Sequence, residues 1–201
     1  MGRYIFTLMA AGLFGLLGVS AASADFVADQ LMTVSRGDQD EIHASKIYTQ
    51  EKKTRIEMKM AGREAVSISR GDKKPPVFWN LMPEEKMYME MSGGGEGDPL
   101  AQKSKNKIQK TFVAKEILAG HPCNKFKITW EDKEGESHTG LAWEATDLND
   151  TPIRQEFYHA RERVVVELKN IEIKKLNADL FEIPSGFKKL SMPPGAMGSP
   201  P

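Results

Sequence analysis

From Phe26 onward, apolar and polar side chains alternate with a period of two, the mark of a strand with one wet face. Lys53–Ala61 is the clearest stretch: Ile56, Met58 and Met60 point one way, and Arg55, Glu57 and Lys59 the other. Phe26–Val34 is a less regular first strand. Ile42–Gln50, Glu64–Arg70, Val77–Leu81 and Lys86–Met91 follow. Lys110–Leu118, Lys125–Trp130, His138–Thr146, Ile153–His159 and Arg163–Ile173 complete the series. Turn chemistry separates them at Ala61-Gly62-Arg63, Gly71–Pro76, Met82–Glu85, Ala119–Pro122, Glu131–Glu136 and Asp147–Pro152. No window of useful length carries helical spacing. About ten strands with turns between them predict a mainly β protein: a strongly curved antiparallel sheet forming an open or half barrel, with few short helices.

Two stretches depart from the alternation. Ser92–Gln109 opens with glycines and acids and continues into a lysine-rich run with Lys103, Lys105 and Lys107. A long insertion of this kind reads as a mobile loop with a turn or two of helix, and as a candidate lid. Its basic character would suit transient contact with a membrane surface. Asn177–Phe187 reads as one short helical turn leading into a closing segment.

The ends bound the domain. Arg3, the apolar run Tyr4–Val19 and the small residues Ser20–Ala24 form an export signal cleaved after Ala24. The apolar run falls short of the ~20 residues that a bilayer span needs. No cysteine stands at the cleavage point, which argues against a lipoprotein. Ser191–Pro201 is nearly all Pro, Gly and Ser and reads as a disordered tail. The folded domain is expected over 25–190, in the periplasm, as a monomer.

Charge and motifs then exclude several functions. With 28 basic and 28 acidic residues, the chain lacks the basic excess of a nucleic-acid binder. Cys123 is the sole cysteine, so no internal disulfide can form. The sequence lacks the serine-hydrolase elbow, the phosphate-binding loop, the zinc-protease motif and the Cys-x-x-Cys pair. His43, His121, His138 and His159 lie far apart, and no two have local ligand spacing. No catalytic residue, metal site or cofactor is expected, and the protein reads as a non-enzyme.

The candidate chemistry lies in Lys86–Met91, where Met87, Met89 and Met91 share one strand face before Gly93. Three readings fit such a run: core packing, the adaptable wall of an apolar pocket, or soft ligands for copper(I). If this strand and Lys53–Ala61 lie in one curved sheet, Met58 and Met60 face the same way, and Tyr88, Glu90, Glu57 and Lys59 face solvent. The expected wall comprises Ile56, Met58, Met60, Phe78, Met87, Met89, Met91 and Trp143.

The order of these segments also resembles a known group. Phe26-Val27-Ala28-Asp29, Lys46-Ile47-Tyr48, Lys53–Met58, Val77–Pro83 and Lys86–Glu90, closed by Asp179–Phe187, resemble a family of uncharacterised exported bacterial proteins. That family is similar to the periplasmic lipoprotein carriers of the Lol system (LolA/LolB-like). The resemblance covers most of Asp25–Leu190. It implies a bent antiparallel sheet forming an open barrel over an apolar cavity, and a protein that holds the acyl chains of a lipid or lipoprotein. A protein-interaction or regulatory module of the same fold is the alternative, and copper(I) binding through the methionines the weaker one.

Overall fold

Short hairpins generate most of the architecture. At Ala61-Gly62 and Ala119-Gly120, both loop residues hold positive φ (51° and 83°, 52° and 85°). Two residues in that region form the hairpin turn whose twist matches that of the flanking strands, and glycine holds its half of it without strain. A computed structural model describes residues 25–92, 109–131, 135–159 and 162–190. The export signal, residues 93–108 of the candidate lid and the carboxy-terminal tail therefore lie outside the described residues, while Ser92 and Gln109 belong to strands.

The described strands are β1 (Phe26–Arg36), β2 (Gln39–Gln50), β3 (Lys53–Met60), β4 (Arg63–Arg70), β5 (Val77–Met82) and β6 (Met87–Ser92). They continue as β7 (Gln109–Leu118), β8 (His121–Glu131), β9 (Ser137–Ala145), β10 (Thr151–His159), β11 (Glu162–Ile173) and β12 (Lys188–Lys189). Short 3₁₀ turns occupy Thr146–Leu148 and Ala178–Phe181. All twelve strands form a single open, curved sheet in the order β12-β6-β5-β4-β3-β2-β1-β11-β10-β9-β8-β7. Every pairing is antiparallel except β12 on β6. The mainly β reading therefore holds. β8 and β10 begin earlier than the turn chemistry implied, because two residues suffice to turn the chain before His121 and because Thr151 already pairs with Ala145.

Register shows which side chains share a face. Ala28 lies opposite Ile47, Ile47 opposite Ile56, Ile56 opposite Ser67, Ser67 opposite Asn80 and Asn80 opposite Met89. In the other direction Gln30 lies opposite Leu168, and Val166, on the Leu168 face, lies opposite Gln155. Gln155 in turn faces Ala142, and Ala142 faces Phe126. These residues define the first face of the sheet; their sequence neighbours point to the second.

Three clusters of buried side chains stabilise it. One gathers Phe26, Ala28, Ile47, Ile153 and Leu168 with Cys123, Trp143 and Leu148. A second, on the first face, joins Met32, Val34, Phe157, Val164 and Val166, with Trp130 meeting Phe157 edge to face. Gly140 lies opposite Phe157 on the neighbouring strand, against its ring. A Cβ there would fall 2.6 Å from the Glu156 carbonyl oxygen and 3.1 Å from the Phe157 ring, so the contact needs glycine. The third cluster is on the second face. Val66, Ile68, Trp79 and Leu81 of β4 and β5 are covered by Leu176, Leu180, Phe181, Ile183 and Phe187.

That cover is a carboxy-terminal strap fastened through its backbone. Gln50 donates to the Leu176 carbonyl (3.1 Å), Arg55 to Leu180 (3.0 Å) and Arg70 to Phe181 (3.1 Å). Arg70 also grips Asp72 with two hydrogen bonds of 2.8 Å and pairs with Glu182. The strap ends by pairing Lys188 and Lys189 with β6, which caps that edge of the sheet. Tyr88 and Glu90 are therefore not solvent-facing, as alternation alone implied. Tyr88 packs under the strap, and Glu90 accepts from Trp79 (2.9 Å) and Lys189 (2.7 Å).

Candidate functional site: a methionine face

The strands β3 to β6 carry a concentration of thioethers on their first face. Met58 and Met60 come from β3, Phe78 and Met82 from β5, and Met87, Met89 and Met91 from β6. The cross-strand pairs are Met82 with Met87, Phe78 with Met91 and Asn80 with Met89. Paired side chains of an antiparallel sheet stand about 5 Å apart at Cβ, so these groups form one continuous surface. Ile56 joins it one strand from the centre and also packs at the margin of the first core.

On β4 and β5 burial separates this face from its reverse, whereas on β6 both faces are half-buried. Val66, Ile68, Trp79 and Leu81 are closed off from solvent, whereas Ala65, Ser67, Ser69, Phe78, Asn80, Met82, Met87, Met89 and Met91 are all half-buried. Met60, near the turn, is 42 % exposed. None of the three buried cores takes in Met58, Met82, Met87, Met89 or Met91. Between the larger side chains of β3 and β5, strand β4 presents Ala65, Ser67 and Ser69, with Ser67 donating to Asn80 (2.8 Å), while Arg63 stands opposite Met60 at the turn and pairs outward with Glu85. The face thus combines large, flexible apolar groups with small hydroxyls.

Seven of the eight residues expected in the wall share this face: Ile56, Met58, Met60, Phe78, Met87, Met89 and Met91. Trp143 does not. It lies on the second face of β9, opposite Lys125 and Arg154, because its neighbour Ala142 occupies the first face. Its indole donates to Glu116 (2.6 Å), and Lys125 and Arg154 stand 4.7 Å and 5.3 Å from its ring. The indole hydrogen bond, helped by Lys125, holds the Glu116 carboxyl below its ordinary range. Met82 completes the face, although its sequence reads as the start of a turn. The signal was present in Phe78, Asn80 and Met82, which keep the alternation up to Pro83.

Other candidate chemistry is scattered. A shallow cleft of about 550 Å³ lies at the opposite end of the sheet, lined by Lys115, Glu116, Ile117, Pro122, Cys123, Asn124 and Thr146. Cys123 is buried there, its thiol donates to the His121 carbonyl (3.4 Å), and burial pushes its pKa up, which suppresses the reactive thiolate. His121 meets Asp147 at 2.9 Å. Among the described residues no three or more His, Cys, Asp or Glu side chains are grouped as metal ligands. No helix of the described residues is long and apolar enough to cross a membrane.

A family model, "Domain of unknown function (DUF4412)", matches residues 30–151, and the chain belongs to that family. No functionally curated protein matches the sequence. Solved structures similar to it include a LolA superfamily protein from Nitrosomonas europaea, at 12 % identity and a TM-score of 0.42, covering 87 % of this chain and 96 % of that one. The Mycobacterium tuberculosis lipoprotein LppX is similar at 10 % identity and a TM-score of 0.42, over 86 % of this chain and 99 % of that one. PNGF-II is similar at 13 % identity and a TM-score of 0.54, over 83 % of this chain. The match spans only 30 % of PNGF-II, and the likeness is one of fold.

Proposed function

We propose that the protein is an exported, non-enzymatic binding protein of the periplasm. It holds an apolar ligand, a lipid or a lipoprotein acyl chain, against the methionine face of its curved sheet. The observation that carries this reading is the convergence of six methionines with Ile56 and Phe78 on one half-buried surface outside the closed cores. Methionine is unbranched and polarizable, so such a wall repacks around chains of different shape, whereas a β-branched wall would fix one shape. The export reading rests on the amino-terminal pattern.

Two measurements test it. Protein purified from its native host is extracted and its lipids identified by mass spectrometry. A fluorescent fatty acid is then titrated into wild type and into Met87→Lys/Met89→Lys, whose charges sit on a half-buried face and spare the cores. Co-purifying lipid, and probe binding lost in the double variant, support the reading. Lipid-free protein with no probe binding overturns it.

A second reading, a protein-interaction module of the same fold, is favoured by strand β7. It forms the open edge of the sheet, with Phe112, Val113 and Ile117 at 53 %, 50 % and 80 % exposure. Among the described residues no further strand pairs with that edge, and such an edge is a template for one. Crosslinking in the native host that recovers one stoichiometric partner through β7, with no lipid bound, would favour this reading over the first.

A further inference from the structure

The first face holds a second feature, four strand steps from the nearest methionine of the wall. Gln155 of β10 is fully buried, and neither its Nε2 nor its Oε1 has a hydrogen-bond partner among the described residues. Its cross-strand neighbours are Val166 and Ala142, which offer no polar side-chain atom. A buried amide left unmatched on both atoms is costly, and each such group in a native structure calls for an explanation, a bound partner among them. Gln155 is also part of the same surface as the methionines. Val166 joins it to Met32, and Gln30, next along β1, receives the Ser45 hydroxyl (3.2 Å), with Ser45 standing opposite Met58.

We propose that Gln155 is the polar anchor of the guest: it takes a neutral head group that both donates and accepts hydrogen bonds, while the chain lies toward the methionine face. This rests on the apolar-ligand reading. The amide itself selects the chemistry. An anion would satisfy only Nε2, and a cation only Oε1. A carboxamide, or an acyl chain in amide linkage, can satisfy both. The nearby charge points the same way. Glu144, on the same face of the neighbouring strand β9, is buried and already takes up the charge of Lys110, so that ammonium is not left over to balance an anionic head. Strand spacing is about 4.8 Å, so the path from β10 to Met58 on β3 is on the order of 20 Å, the length of a long acyl chain. Because Gln155 has no exposed surface, the guest must displace the side chains that close over it, and association is slower than diffusion.

The test compares two probes with one tail, oleamide (donor and acceptor) and methyl oleate (acceptor only), competing against the fluorescent fatty acid. Wild type is expected to bind oleamide about tenfold more tightly, the scale of one buried hydrogen bond left unmade. Gln155→Met, close to it in volume, is expected to erase that preference, chiefly by weakening oleamide, and to melt no lower than wild type. Equal preference in wild type and variant overturns the anchor and leaves the apolar-ligand reading standing. Absence of binding by either probe to wild type overturns both.

Discussion

The two faces of β4 to β6 are built from alternate residues of the same segments, yet they differ in kind. The second face carries Val66, Ile68, Trp79 and Leu81, sealed by the strap and locked by Arg70. The first carries small hydroxyls and long thioethers that stay half-buried. The same strands thus supply both a rigid packed layer and an adaptable surface. The stability of this half of the sheet resides on one face, which leaves the other free to change shape.

The comparison fails if the sealed face can be damaged as cheaply as the open one. Phe181→Ala removes a ring with no exposure from the strap, and the expected loss is about 3–5 kcal/mol in urea unfolding. Met89→Ala, on a half-buried site that can relax, is expected to lose about 1 kcal/mol or less. Similar losses at both sites would erase the distinction.

Arg70→Ala comes next, with an expected loss of about 2–3 kcal/mol, because the Phe181 carbonyl, Asp72 and Glu182 lose their shared donor together. Trp79 also loses the guanidinium 5.8 Å from its ring. If the strap peels away as a unit, limited proteolysis of this variant should cut within 176–190 before the sheet unfolds.

Acid probes the same clasp more gently. Hydrogen bonds from Arg70 hold the Asp72 carboxyl below the usual carboxylate range. A carboxyl whose folded pKa is depressed stabilises fully above its unfolded value of about 3.9, and that contribution is lost as pH falls through the folded value. Asp72 is partly exposed, so the expected acid loss is under about 1 kcal/mol, and Asp72→Asn should remove the corresponding slope in a stability-against-pH titration.

The smallest effect is expected at the methionines themselves. Met87→Leu/Met89→Leu keeps volume and apolarity on a half-buried face, and stability should change by less than about 0.5 kcal/mol with fatty-acid binding retained. Calorimetric titration with copper(I) separates the remaining reading. Equal copper uptake by wild type and this variant shows that Met87 and Met89 are not ligands; uptake lost together with the thioethers would replace the lipid reading with a metal one.

Local alternation was enough to identify most strands and to group the methionines. Met58 and Met60 follow Ile56 at spacing two, and Met87, Met89 and Met91 repeat it. Period two also carried Trp143, but only within its own strand. Its relation to the methionines depends on register across the hairpins that separate β9 from β6, and one residue of phase sends a side chain to the other face. Tyr88 and Glu90 were misread for a related reason. Alternation tells that two faces differ, but not which of them another segment will cover.

Strand order within the hairpins, most turn positions and the spacing of the thioethers within each strand were thus determined by local chemistry, since backbone pleat and turn geometry act over a few residues. The strap on the second face, the Arg70 clasp, the placement of Trp143 away from the wall and the orphaned amide of Gln155 were decided only in the folded molecule. Each depends on contacts between segments distant in sequence, such as Arg70 with Phe181 and Glu182, and on the curvature and register of a sheet whose two halves meet at β1 and β11.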